Sequence, residues 1–221
     1  MTDPADAAAL PRYHRMVITF EWVSYAMLKR VLDVAVSAAV ILLTVPLWAT
    51  IMVAIKLDSP GPIFFVQERV GYQGRRFHCV KFRSMQINAE AVLEEMKRRG
   101  EVPGLVYKIR NDPRVTRVGH LLRKTCLDEL PQLVNVLKGE MSLVGPRPVI
   151  PAHIQEYVAQ DQVRLRVKPG LTCLWALLGR SHCDIAKIAA ADREYVERRS
   201  LWLDAWILYR TAIVVVRGEN Y

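Results

Sequence analysis

Residues 34–55 read VAVSAAVILLTVPLWATIMVAI, 22 positions without a charge. As a straight helix such a run covers a hydrocarbon core of roughly 30 Å, so this stretch decides whether the chain meets a membrane. Pro46 stands near its middle, where the missing N–H removes one i to i−4 hydrogen bond and the ring crowds the preceding turn. A kink is expected there. Positive charge flanks both ends, with Arg12, Arg15, Lys29 and Arg30 before the segment and Lys56 after it. The cytoplasmic bias of Lys and Arg then asks for both ends on one face. A re-entrant helix broken at Pro46 satisfies that demand and is the form expected, with an ordinary kinked spanning helix as the competing reading. Asp33 follows Lys29 and Arg30 by four and three residues, the spacing of neighbours on a helix face, so a local ion pair at the interface is expected.

Working outward, residues 1–28 read as an N-terminal tail that can lie at the interface, 29–57 as the membrane helix and 58–221 as a cytoplasmic domain. MTDPADAAALPRYHR has no charged region leading directly into an apolar run, so no cleaved signal peptide is expected. The net charge of +9 is concentrated: residues 60–125 hold 14 Lys/Arg against 6 Asp/Glu. A field of this kind suits an anionic partner, which by charge alone is nucleic acid, an anionic membrane surface or a phosphorylated small molecule. No nucleic-acid-binding motif of recognisable spacing is present, and no nucleic acid partner is expected. Cys79, Cys126, Cys173 and Cys183 form no C-x-x-C pair, which argues against a zinc cluster or disulfide framework and for a reducing setting.

Beyond the turn DSPGP, the stretch IFFVQERVGYQGRRFHCVKF reads as two strands joined through Gly71 and Gly74. Residues 89–99 read as a helix, and NDPRVTRVG as a turn leading into a short apolar stretch. In TCLDELPQLVNVLKG, Leu130, Leu133, Val134 and Leu137 recur at helical spacing, and Gly139 ends the run. A helix from Asp128 to Lys138 follows, with Pro131 in its first turn. Read locally, Asp128 is its N-cap and Glu129 a first-turn acid, together stabilising it by about 1 kcal/mol. The other reading makes a helix-end carboxylate a nucleophile or metal ligand for a phosphorylated substrate. The cap reading leaves the surrounding cations without a purpose. In GPRP, Pro146 and Pro148 restrict the backbone around Arg147, whose planar fork matches phosphate oxygens or pairs with a nearby acid. Lys81 and Arg83 in KFRSM are phosphate ligands or solvated strand residues.

With DSPGPIFFVQERVG, KFRSM, LDELPQLVNVLKGEMSLVGPRP, VKPGLT and SLWLD in view, the chain resembles the bacterial sugar transferase family, monotopic polyprenyl-phosphate phosphoglycosyl transferases, in its small form. The resemblance runs from KRVLD to the C-terminus. It implies an enzyme that moves a sugar 1-phosphate from a UDP-sugar to undecaprenyl phosphate with Mg²⁺, releasing UMP, in exopolysaccharide or O-antigen initiation. It makes Asp128 the nucleophile that carries the phosphosugar and a Mg²⁺ ligand, and Glu129 its partner. Arg123 and Arg147, joined by Lys81, fall on the family's basic positions, and Arg83 and Arg180 are added here as phosphate ligands. Glu140 and Asp192 are further metal candidates.

The fold class implied is α+β and mostly helical: a re-entrant, proline-kinked membrane helix, then a domain with a small β-hairpin and amphipathic interfacial helices. Trp202, Trp206 and Tyr209 in SLWLDAWILY suit such an interfacial helix, or else a packed core element. The implied location is the cytoplasmic face of the bacterial inner membrane, among its lipids, with the oligomeric state open to a homodimer. Where the family commonly has PGLTGLWQVSGR this chain has PGLTCLWALLGR. Cys173, Ala176 and Leu178 therefore point to an unusual donor or weakened activity. The competing function is a membrane-anchored basic binding protein without catalysis.

Overall fold

The computed structural model describes residues 12–102, 109, 112–160, 162–177 and 185–218, with side chains from residue 24 onward except at 158–160. Helix α1 runs from Arg12 to Asp58 and continues through Pro46. Around the proline, side chains bond to carbonyls of the preceding turn: Thr44 Oγ1 donates to Val40 O at 2.6 Å and Thr50 Oγ1 to Pro46 O at 3.1 Å.

Two parts of α1 dock on the body that follows. Near its start, Lys29 pairs with Asp204 at 2.7 Å, Arg30 donates to the carbonyls of Val136 and Leu137, and Asp33 accepts the Leu143 N–H at 3.0 Å. The local ion pair expected for Asp33 is therefore not the one formed. Asp33 is buried and spends its carboxylate on a strand N–H, while both basic residues reach distant partners. Near its end, Ile51 and Ile55 are buried with Phe82 and Leu122. Between these parts, Leu42, Leu43, Val45 and Leu47 stay exposed.

The hairpin forms as the alternation implies. Strand β1 (Phe64–Val70) pairs antiparallel with β2 (Arg76–Phe82), Phe64 opposite Phe82 and Val70 opposite Arg76. Helix α2 (Ala89–Arg98) matches its expected span. The segment read as a turn before an apolar stretch contains helix α3 (Arg117–Lys124), capped by Thr116, whose hydroxyl accepts from Gly119 N. The expected single helix from Asp128 to Lys138 is replaced by two pieces: a 3₁₀ turn over Leu127–Glu129 and helix α4 (Gln132–Lys138).

Strands β3 (Ser142–Val144) and β4 (Gly170–Thr172) pair in parallel, a second small sheet with no periodic signal in the sequence. Helices α5 (Ile154–Gln160), α6 (Ile185–Arg198) and α7 (Leu201–Arg217) complete the chain. The main core gathers Phe77 and Cys79 of β2, Leu133 and Val136 of α4, Leu143 and Val144 of β3, Tyr195 of α6 and Ile207 of α7, with Val40 and Ile41 of α1 packed on it. On the opposite side of α7, Trp202 and Tyr209 are exposed, the arrangement expected of an aromatic interfacial helix rather than a wholly packed one.

Candidate active site

Cys126 occupies the left-handed region at φ 55° and ends α3 with a sharp turn that leads straight into Leu127–Glu129. The turn carries the two acids away from a capping position. Asp128 caps nothing, so the local cap reading does not hold. Its carboxylate is buried, 8% exposed, and among the described residues no hydrogen bond or ion pair engages it. Burial pushes its pKa up, with Lys81 pulling the other way, Glu129 adding to the rise, and Arg123 and Arg147 opposing it.

Glu129 is the opposite case. Its Oε1 accepts from Lys81 Nζ at 2.7 Å and from Arg147 Nη2. Burial alone would raise its pKa, but the paired Arg147 and Lys81 outweigh that and hold the carboxyl well below the usual range. In return Glu129 pushes the Arg147 guanidinium further toward its charged form. Glu129 thus acts as an anchor for two cations, and Asp128 stands beside them uncommitted.

Each cation has its own support. Asn135 of α4 is fully buried; its amide donates to His78 O and Glu140 Oε2, both at 2.7 Å, and its oxygen accepts from Val80 N at 3.2 Å. These bonds fix β2, and with it Lys81, against α4. The Arg147 loop is gripped from both sides: Arg69 of β1 donates to Pro148 O at 3.1 Å, and buried Arg164 donates to Arg147 O at 2.6 Å. Arg164 also faces Asp192 at 3.4 Å and lies 4.4 Å over the Tyr157 ring. Gly145 and Gly170 approach so closely that a Cβ on Gly170 would stand 2.1 Å from Gly145 N, which explains glycine in both GPRP and PGLT. Arg123, from the last turn of α3, is braced by Ser84 Oγ at 3.0 Å.

The fold therefore brings together Lys81, Arg123, Asp128, Glu129 and Arg147. Arg83, expected with them as a phosphate ligand, is buried and directed elsewhere: its guanidinium bonds Pro60 O, Ser59 O and Ser59 Oγ, tying the end of α1 to β2. Arg180 and Leu178 lie outside the described residues. Glu140 is engaged by Asn135 and Asp192 by Arg164, so both have structural partners. Cys173 is buried directly after β4, and Ala176 lies in a 3₁₀ turn over Trp175–Leu177. Sequence reasoning missed Arg69, Asn135 and Arg164. Arg69 was visible only as one of three polar residues, after Gln67 and Glu68, in β1, and Asn135 only as a polar position among the apolar residues of α4.

The chain matches the family model described as bacterial sugar transferase over residues 24–218. It is 43% identical over 197 residues to the UDP-galactose-lipid carrier transferase of Erwinia amylovora, covering 87% of this chain and 41% of that protein. With the exopolysaccharide production protein ExoY of Rhizobium meliloti it shares 42% identity over 199 residues, 87% of this chain and 88% of that one. With the UDP-glucose:undecaprenyl-phosphate glucose-1-phosphate transferase of Caulobacter vibrioides it shares 40% over 200 residues, 87% and 71% of the two chains. The chain thus spans about two fifths of the first of these relatives and most of the second. Since the family match takes in the docked end of α1, the acidic turn, both grips on Arg147 and α7, this chain belongs to the bacterial sugar transferase family.

Proposed function

We propose that this chain transfers a sugar 1-phosphate from a UDP-sugar to a polyprenyl phosphate with release of UMP, starting exopolysaccharide, O-antigen or related glycan assembly at the cytoplasmic face of the bacterial inner membrane. The observation that carries the reading is the division of labour between adjacent acids: Glu129 holds Lys81 and Arg147, and Asp128 is buried, uncommitted and within their field. The named activities of the relatives, on UDP-glucose, galactose and undecaprenyl phosphate, support this choice of donor and acceptor.

An Asp128 carboxylate oxygen attacks the β-phosphorus of the UDP-sugar. The bond from that phosphorus to the bridging oxygen breaks, and UMP leaves with the electron pair. A terminal oxygen of the lipid phosphate then attacks the same phosphorus, the aspartyl–phosphorus bond breaks, and Asp128 returns as a carboxylate. Lys81, Arg147 and Arg123 offset the phosphate charge that would repel an anionic nucleophile. A desolvated carboxylate without hydrogen bonds is better disposed to attack than a solvated one, because fewer partners must be displaced.

Asp128 also fits a Mg²⁺ ion. Such an ion takes one or two carboxylates and completes its shell with phosphate oxygens and water. Among the described residues no group of three His, Cys, Asp or Glu would hold a cation alone, so the diphosphate has to share in binding it. Bound there, Mg²⁺ would neutralise diphosphate charge.

The re-entrant form of α1 belongs to the same proposal. Its support is that both docked parts of the helix, around Lys29 to Asp33 and around Ile51 to Asp58, contact one body. Both ends then share a face, and the acidic turn sits near the lipid phosphate.

The test is UMP release from a panel of UDP-sugars by full-length protein in nanodiscs with Mg²⁺ and undecaprenyl phosphate. Lipid-dependent turnover by the wild type, lost in Asp128→Asn, is the expected result. Lipid binding that falls steeply with salt and survives Asp128→Asn, with no donor turned over, would instead favour the binding-protein reading.

A further inference from the structure

Gln132 opens α4, three residues after Glu129 and four after Asp128, and consecutive i→i+3 turns, Leu130 N to Leu127 O and Leu133 N to Leu130 O, join it to the turn that carries both acids. It is 2% exposed, and its amide Nε2 is a buried donor with no hydrogen-bond partner. Buried amides are nearly always satisfied, and leaving one unpaired destabilises the fold. Three positions further along the same helix, Asn135 shows what this backbone does with a structural amide, which is to bond it at both ends.

Of the two acids in the preceding turn, Glu129 has its Oε1 taken by Lys81 and Arg147. Asp128 is an acceptor one turn away, yet no hydrogen bond joins it to Gln132. One uncommitted acceptor and one uncommitted donor thus lie a helical turn apart without meeting. A tetrahedral phosphoryl group has the chemistry to complete both, phosphorus toward the carboxylate and a non-bridging oxygen toward the amide.

We propose that Gln132 is a catalytic residue whose amide donates a hydrogen bond to a non-bridging oxygen of the phosphoryl group that Asp128 attacks. This rests on the transferase reading above. The amide adds no charge of its own, so it can follow the oxygen as negative charge builds without repelling the three cations. It is also satisfied only when the phosphoryl group is present, which concentrates its contribution in the bound and reacting states rather than in the folded protein.

The experiment compares wild type, Asp128→Asn, Gln132→Met and Gln132→Glu in nanodiscs, with undecaprenyl phosphate, Mg²⁺ and whichever of UDP-glucose and UDP-galactose the wild type turns over. Gln132→Met keeps the volume and removes the donor. Expected is a kcat about 100-fold lower, the loss typical of one donor at a developing oxyanion, with an unchanged or higher thermal midpoint. A kcat and KM both within about threefold of wild type in folded Gln132→Met would overturn the proposal and leave the transferase reading intact.

Gln132→Glu serves if the methionine variant does not fold. Ionised, it places a negative charge against the phosphoryl group; protonated, it offers an O–H donor. Its activity relative to wild type should therefore rise as pH falls through the carboxylate range, and a flat ratio would overturn the proposal. No turnover of any UDP-sugar in the panel above by the wild type would remove both this inference and the transferase reading.

Discussion

Asp128 and Glu129 are neighbours in sequence with opposite electrostatic fates, and stability should record the difference. Asp128 has its folded pKa raised, by burial first, so the folded state binds that proton more tightly than the unfolded chain does. By linkage, ionised Asp128 works against folding above the folded pKa; the penalty fades as pH falls from the folded pKa to the ordinary carboxylate value and is absent below it. Glu129 has its folded pKa lowered, so its stabilising contribution is present above the ordinary value and is lost as pH falls toward the folded one. Asp128→Asn is accordingly expected to abolish turnover while raising the thermal midpoint at neutral pH. The gain should shrink in acid, where the wild-type carboxyl is protonated too. Unfolding followed by circular dichroism from pH 7 downward checks this, and a midpoint lowered by Asp128→Asn would contradict it. That Lys81, Arg123 and Arg147 would lie near the acids was expected from the family resemblance, with the cation excess of residues 60–125 pointing the same way for the first two. Arg83 was not distinguishable from them: its partners lie 23 and 24 residues away in a turn, and no local rule says which lysine or arginine a backbone carbonyl will claim.

At the scale of elements, the GPRP loop is held less by its prolines than by two arginines from other parts of the chain. Arg69 of β1 reaches Pro148 O and also Gln67 Oε1, and burial lowers its pKa, helped by the charge of Arg147 and opposed by that of Glu129. Among the described residues its removal breaks no ion pair, whereas removal of Arg164 would break the pair with buried Asp192. Arg69→Met should then cost only about 1–3 kcal/mol, the price of one carbonyl left unpaired. Activity should suffer more: Arg147 loses one of its two grips, and a small misplacement of a positioning group lowers rate by about 10- to 100-fold. Steady-state kinetics beside urea unfolding separates the two, with kcat falling while most of the protein stays folded. Equal kcat in Arg69→Met would show that Arg164 alone suffices. The hairpin and α2 were readable because strand alternation and helical spacing are local signals. Strands β3 and β4 were not, since three-residue strands have no period to read and pair only after GPRP and PGLT have been brought together. The 3₁₀ turn at the acids escaped for a similar reason: Cys126 is not a residue from which positive φ is expected, and it is the turn's geometry that ends the capping role.

For the molecule as a whole, the apolar run at 34–55 was the strongest single signal, but hydropathy describes a segment and not what its ends touch. The docking of α1 joins residues more than 100 positions apart, Asp33 to Leu143 and Lys29 to Asp204, and no pattern along the chain announces those pairs. Asp204 gathers Lys29, Tyr25 and Tyr195, and Tyr195 in turn donates to Val144 O, so the start of α1 is bonded into the same core as β3 and α7. The end of α1 is bonded as well: Asp58 accepts from Val118 N at 3.0 Å, and Arg83 holds Ser59 and Pro60. In the proposed re-entrant form these two attachments keep both parts of α1 on one side of the bilayer, and the apolar stretch around Leu42 to Leu47, with Pro46 in it, is the part that would enter the lipid. Tags at the two termini should both be shielded from a membrane-impermeant label in intact spheroplasts and both react once the membrane is opened. Pro46→Leu restores the missing backbone donor and favours a straight helix long enough to cross, so part of the population should expose one terminus outside and lose activity in proportion. A wild-type terminus labelled from outside would rule out the re-entrant form. Unchanged labelling in Pro46→Leu would mean that the ion pair to Asp204 and the bonds at Asp58 fix the topology without help from the proline.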